Sequence, residues 1–149
     1  MYRSHVLVCG GTGCTSSGSA KIIDAFETEL KKNDLSEEVQ VVRTGCFGLC
    51  ENGPVVIVYP EGSFYSRVTP EDVEEIVSEH LLKGRIVQRL LYTDSVSKED
   101  GTIISLDETP FYKKQKRVAL RNCGIINPEK IEVYIALDGY QALGKVLTE

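Results

Sequence analysis

The sequence predicts an α/β domain over residues 1–84: a parallel β-α-β unit, then an antiparallel hairpin and a covering helix. A C-terminal tail of residues 85–149, containing a helix, extends it. Three observations carry this. Two short apolar runs, Ser4-His5-Val6-Leu7-Val8 and Val39-Gln40-Val41-Val42-Arg43, flank a stretch of helical periodicity. A continuous apolar run, Val55-Val56-Ile57-Val58-Tyr59, turns back after Pro60-Glu61-Gly62 into Ser63-Phe64-Tyr65-Ser66-Arg67. Thr69-Pro70-Glu71-Asp72 then announces a second helix, with an N-cap threonine, proline at the first helical position and acids in the first turn.

In chain order, the first strand enters the loop Cys9-Gly10-Gly11-Thr12-Gly13-Cys14. Ser16-Ser17-Gly18-Ser19 supplies N-cap chemistry, and Ile22, Ile23, Phe26 and Leu30 recur at helical spacing until Asn33-Asp34 ends the helix. The second strand leads into Cys46-Phe47-Gly48-Leu49-Cys50, and Glu51-Asn52-Gly53-Pro54 turns the chain toward the buried third strand. The second helix has its apolar stripe at Val73, Ile76, Val77 and Leu81 and closes at Lys83-Gly84. This order is the plan of a thioredoxin-like domain, large enough to bury its own core.

Beyond Arg85 the periodicity loosens. Ile86-Val87-Gln88-Arg89-Leu90-Leu91-Tyr92 reads as a strand or a helix end, and Thr93 to Thr102 as a polar loop. Pro110 begins a basic stretch, and Arg117-Val118-Ala119-Leu120-Arg121 fits either state. Asn127-Pro128-Glu129 opens a last helix, with Ile131, Tyr134 and Ile135 on one face and an interruption at Gly139 before Ala142, Leu143, Val146 and Leu147. These apolar faces need something to lie against.

Composition narrows the function classes. The 149 residues are 42% hydrophobic, with no apolar run as long as a membrane span. Val6-Leu7-Val8 is too short for the core of a signal peptide, so a cytoplasmic setting with reduced thiols is expected. Residues 1–84 carry 7 Lys/Arg against 13 Asp/Glu, and residues 85–149 carry 10 against 9. The acidic first part argues against nucleic acid, whose phosphates it would repel. It suits a basic docking partner or a solvated surface.

The chemistry concentrates in Cys9, Cys14, Cys46 and Cys50. If a crossover helix joins the first two strands they are parallel, and their C-terminal ends share one edge of the sheet. Neighbouring strands lie roughly 4.8 Å apart, so both cysteine loops should meet there. Three chemistries use four thiols. Structural zinc uses close C-x₂₋₄-C knuckles in domains that need the metal to fold; the spacings here, C-x₄-C and C-x₃-C, fall within that range, but the loops hang on a sheet that does not need a metal to fold. Thiol–disulfide enzymes usually place C-x-x-C at a helix start, and no C-x-x-C occurs. A [2Fe–2S] cluster, wide and flat, suits longer glycine-bearing loops. Gly10, Gly11, Gly13 and Gly48 would bend with positive φ and bring amide groups to sulfur. A zinc-stabilised interaction module and a dithiol redox protein stay open beside it. The only histidines, His5 and His80, lie outside both loops, which leaves no Rieske ligand set; they are expected to serve packing or surface. Gly11-Thr12-Gly13 is no phosphate cradle: Ser16 stands where G-x-G-x-x-G needs its third glycine, and Ser19 where a P-loop needs lysine.

The spacing Cys9-x₄-Cys14 and Cys46-x₃-Cys50, followed by Gly53-Pro54-Val55-Val56 and by Thr69-Pro70-Glu71-Asp72-Val73, resembles the thioredoxin-like [2Fe–2S] ferredoxins over residues 4 to about 84. The resemblance implies that the four cysteines ligate one [2Fe–2S] cluster and that the module carries single electrons. All-thiolate clusters of this type have low potentials, around −400 mV. Phe47 and Leu49 would shield the cluster from water, or simply pack their loop.

The tail is similar to the opening of the flavoprotein (diaphorase) subunit of complex I and of NAD(P)-linked iron hydrogenases. The similarity lies in Pro110-Phe111-Tyr112-Lys113-Lys114-Gln115-Lys116-Arg117, Leu120-Arg121-Asn122-Cys123-Gly124 and Asp138-Gly139-Tyr140-Gln141-Ala142-Leu143. It implies a flavoprotein module and other subunits of a hydrogenase or dehydrogenase as partners, with residues 85–149 as linker and start of that module. The chain by itself would be an electron carrier rather than an enzyme. Cys123 is expected as a small buried core cysteine rather than a fifth ligand. Lys113, Lys114, Lys116, Arg117 and Arg121 are expected on a solvated face, or facing a flavin module.

Overall fold

A computed structural model describes residues 2–95, 103, 104 and 106–149. β1 (Ser4–Cys9) is followed by a short helix α1 (Thr12–Ser16), the long α2 (Ser19–Lys32) and β2 (Val39–Thr44). β3 (Val56–Tyr59) and β4 (Ser63–Tyr65) form the hairpin, and α3 (Asp72–Glu75) runs on into a widened π-helical turn, Ile76–Leu81. The sheet order is β2-β1-β3-β4. β1 and β2 are parallel, from Ser4 opposite Val39 to Cys9 opposite Thr44. β3 is antiparallel to both β1 and β4. The expected parallel unit, hairpin and covering helix are all present.

Strand alternation sorts the core into two faces. Val6 and Val8 of β1, with Val56 and Val58 of β3, meet Ile22 and Phe26 of α2 and Ile76 of the last turn. Ile22, Phe26 and Ile76 are fully buried, each contributing about 1.5–3 kcal/mol relative to an exposed side chain. Leu7 and Cys9 of β1, with Ile57 of β3, point the other way and pack with Phe47, Phe64 and Tyr112. Burial on both faces is why the strands read as unbroken apolar runs.

Several elements depart from expectation. The first cysteine loop contains α1, a helix of 5 residues, too short to show periodicity. β4 ends at Tyr65, because Arg67 turns to φ 53° and donates its amide to the Asn52 carbonyl. Residues 86–92 are neither strand nor helix end. A 3-10 turn, Gln88–Leu90, precedes one antiparallel bridge between Leu91 and Tyr65. The expected polar loop from Thr93 begins as a 3-10 turn to Ser95, and its remainder lies outside the described residues.

The basic stretch opens with α4 (Pro110–Lys113), and residues 119–125 form turns, so 117–121 is neither strand nor helix. The last helix is two: α5 (Ile131–Ala136) and α6 (Gln141–Thr148). The break falls at residues 137–140, where Asp138 and Tyr140 both adopt positive φ. Among the described residues, no helix is long and apolar enough to cross a membrane.

Candidate metal centre

Parallel pairing places both cysteine loops at one sheet edge. Cys9 closes β1, buried, with its amide on the Val55 carbonyl at 3.0 Å. The Gly10 amide bonds the Thr44 carbonyl at 2.8 Å, carrying the pairing one step past the strands. α1 then turns Cys14 inward, where it is as buried as Cys9. Cys46 is half-buried, and Cys50, which opens a 3-10 turn, is exposed. The four thiols are therefore arranged as an inner pair and an outer pair.

Within the inner pair Cys9 stands near enough to Cys14 to raise its pKa, and in the outer pair the sulfurs of Cys46 and Cys50 lie 3.6 Å apart. The loops that carry them touch. A Cβ on Gly11 would stand 2.8 Å from Cys46 Cβ and 3.1 Å from its Sγ, so only glycine permits this approach. Gly13, two residues on, faces Cys50. The Gly48 amide donates to Cys46 Sγ at 3.3 Å, from a backbone with φ +85°. Gly48 thus meets the expectation of positive φ. Gly10, Gly11 and Gly13 do not; they keep negative or extended backbone, and Gly10 and Gly11 serve close approach instead.

The electrostatics disfavour a free nucleophile. Burial, then the hydrogen bond and charge of Cys9, push the Cys14 thiol up to about 12, against a smaller opposing pull from the Val55 amide. Cys50 is raised chiefly by its hydrogen bond with Cys46 and by that neighbour's charge. Cys14 and Cys50, whose ionisation burial and a neighbouring cysteine suppress, are the reverse of the activated thiol a disulfide enzyme needs. Positive metal centres would hold them as thiolates. Among the described residues, no three His, Cys, Asp or Glu side chains gather around one point. Two adjacent pairs, with an amide aimed at sulfur and no other donor type, fit a group of two metal centres.

Other candidate residues fall in place around this edge or away from it. Phe47 is buried against Phe64, ring centroids 6.4 Å apart, and Leu49 packs on the same cluster. His5 lies mid-strand in β1, half-buried. His80 lines a cavity with Arg3, Ser4 and Glu61 at the far end of β1, away from Cys9. Cys123 is not a core cysteine: it is half-buried, its sulfur 3.1 Å from where a Gly45 Cβ would be. Lys113, Lys114, Lys116 and Arg121 are exposed as expected. Arg117 is not, for it lies 4.7 Å over the Tyr112 ring and donates to the Cys123 carbonyl at 3.1 Å. Tyr112 itself was not foreseen beside the cysteines, since no local pattern marks a contact across some 60 residues of chain.

Comparison with known proteins converges on one family. The model of the thioredoxin-like [2Fe–2S] ferredoxin family matches residues 1–81. A 2Fe–2S ferredoxin of Clostridium pasteurianum is 46% identical over 96 residues, covering 59% of this chain and 94% of that protein. The crystal structure of the thioredoxin-like [2Fe–2S] ferredoxin from Aquifex aeolicus superposes with a TM-score of 0.57 at 37% identity, over 62% of this chain and 99% of that one. The NADP-reducing hydrogenase subunit HndC of Solidesulfovibrio fructosivorans is 67% identical over 36 residues, 24% of this chain and 7% of that subunit.

Proposed function

The chain belongs to the thioredoxin-like [2Fe–2S] ferredoxin family, and from that premise we propose that Cys9, Cys14, Cys46 and Cys50 are the four ligands of its [2Fe–2S] cluster. The protein is a ferredoxin-type electron carrier, a transfer module and not itself an enzyme. When bound, the cluster supplies reversible one-electron oxidation and reduction at low potential, around −400 mV for all-cysteine ligation of this kind.

The observation that carries the ligand assignment is the meeting of two parallel-strand loops, each bringing one thiol pair to the same edge. The residues divide the work. Cys9 and Cys14 anchor the buried side, and Phe47 keeps water from it. Cys46 and Cys50 face outward, and the exposed Cys50 marks where electrons enter and leave. The Gly48 amide stabilises negative charge on Cys46 sulfur.

The partner class follows from the hydrogenase similarity: a flavin- and NAD(P)H-linked hydrogenase or dehydrogenase complex in the reducing cytoplasm. In this reading residues 1–84 form the ferredoxin domain, and residues 85–149 lead toward the flavoprotein module. Two measurements test it. Protein purified without oxygen should show visible charge-transfer bands that bleach on reduction. Those bands should also bleach under hydrogen with a catalytic amount of NADP-reducing hydrogenase; reduction by dithionite but not by that enzyme would refute the partner class.

A further inference from the structure

We propose that residues 106–126 form the outer wall of the cluster site, and that Tyr112 and Gly124 are positioning residues that set its reduction potential and shield it from solvent. This rests on the ligand set proposed above, and it draws on contacts that the four cysteines do not make themselves.

The wall is built at three points. Leu106 and Tyr112, 7% and 5% exposed, enter the same buried cluster as Cys9, Cys14 and Phe47. The side chains of Phe111 and Tyr112 come over Gly48, whose amide holds Cys46 sulfur. Gly124, at φ +82°, lies flat on Phe47, the residue after Cys46; a Cβ there would meet the ring at 2.5 Å. One polar tie pins the segment across the end of β2, since Thr44 Oγ1 donates to the Ile126 carbonyl at 2.8 Å; Arg117 braces the segment internally, donating to the Cys123 carbonyl and lying over the Tyr112 ring.

The consequence follows from charge. A reduced all-thiolate cluster carries one more negative charge than the oxidised one, and water stabilises that extra charge better than an apolar wall does. Lifting the wall admits water, so the potential rises and chelators reach iron sooner. A segment that merely covered apolar surface would change stability and leave the potential where it was.

The test compares holoprotein of residues 1–149 carrying Tyr112→Ala, Gly124→Val or Tyr112→Phe with wild type and with Leu143→Ala, a change at an exposed α6 position. Readouts are the potential from anaerobic titration, the EPR line shape, and the rate at which a ferrous chelator bleaches the visible bands. Tyr112→Ala and Gly124→Val should bleach several-fold faster at a raised potential, while Tyr112→Phe and Leu143→Ala should track wild type. If one of the first two fails to fold, the other decides. Folded Tyr112→Ala or Gly124→Val with wild-type potential and bleaching would overturn the wall while leaving the ligand set standing. A wild-type protein that never shows the bands would overturn both.

Discussion

Tyr65 is the largest fully buried side chain, and its hydroxyl ties three elements together. It accepts the Val87 amide at 3.2 Å and lies 2.8 Å from His80 Nδ1. Burial pushes the phenol up to about 12, so the hydroxyl keeps its proton and donates it to Nδ1, which leaves the neutral imidazole protonated at Nε2. Burial also lowers the His80 pKa, against a weaker opposing pull from Glu61. The unfolded chain therefore binds a proton that the folded one refuses. The His80 contribution to stability is intact above the ordinary value of 6.5 and is lost as pH falls below it toward the lowered folded pKa. Urea unfolding at stepped pH should show this decline, and His80→Gln should flatten it. Tyr65→Phe leaves a buried amide and a ring nitrogen unpaired, and should cost about 1–3 kcal/mol in the same experiment. At the proposed metal centre, serine at any of Cys9, Cys14, Cys46 or Cys50 should abolish or sharply shift the visible and EPR signals. Cys123→Ser should preserve them; bleaching by that change would show that the ligand set is wrong.

The second helix shows which local interactions matter. Asp72 Oδ2 accepts from both the Thr69 amide and its hydroxyl, the returning half of a capping box. Arg89 bridges Asp72 and Glu75 from a side chain that is 54% exposed. Burial would raise the Asp72 pKa, but the Thr69 donors and Arg89 outweigh it and hold it below 3.8. This stabilisation is present above that value and disappears as pH drops through the lowered pKa. The cap should dominate the ion pair: Asp72→Ala costs about 1–2 kcal/mol, and Arg89→Ala under about 1 kcal/mol. Equal losses, read from urea midpoints, would contradict that ranking. Thr69-Pro70-Glu71-Asp72 was legible because capping chemistry is local. α1 was not, being shorter than two turns, and neither was the π-helical widening at Ile76–Leu81, which leaves apolar spacing unchanged.

At the scale of the molecule, the sheet is covered on one face by α2 and α3 and on the other by Phe47 with residues of the tail. The cysteine spacing and the β-α-β pattern were readable because each is written within a few residues. The fold-back of the tail was not. Its ties, such as Thr44 to Ile126, join positions 82 apart and leave no periodicity to detect. The basic stretch looked like a solvated face because charge is read from composition, whereas Arg117 is held by the Tyr112 ring and the Cys123 carbonyl, neighbours along the chain that a charge count does not show. The measurement that tests the central claim most directly is iron and acid-labile sulfide analysis with EPR on anaerobically purified protein. Four-thiol ligation predicts about two irons and two sulfides per chain, and a rhombic signal after reduction near −400 mV. Natively folded protein that is colourless, or that holds a single zinc on the same cysteines, would contradict it.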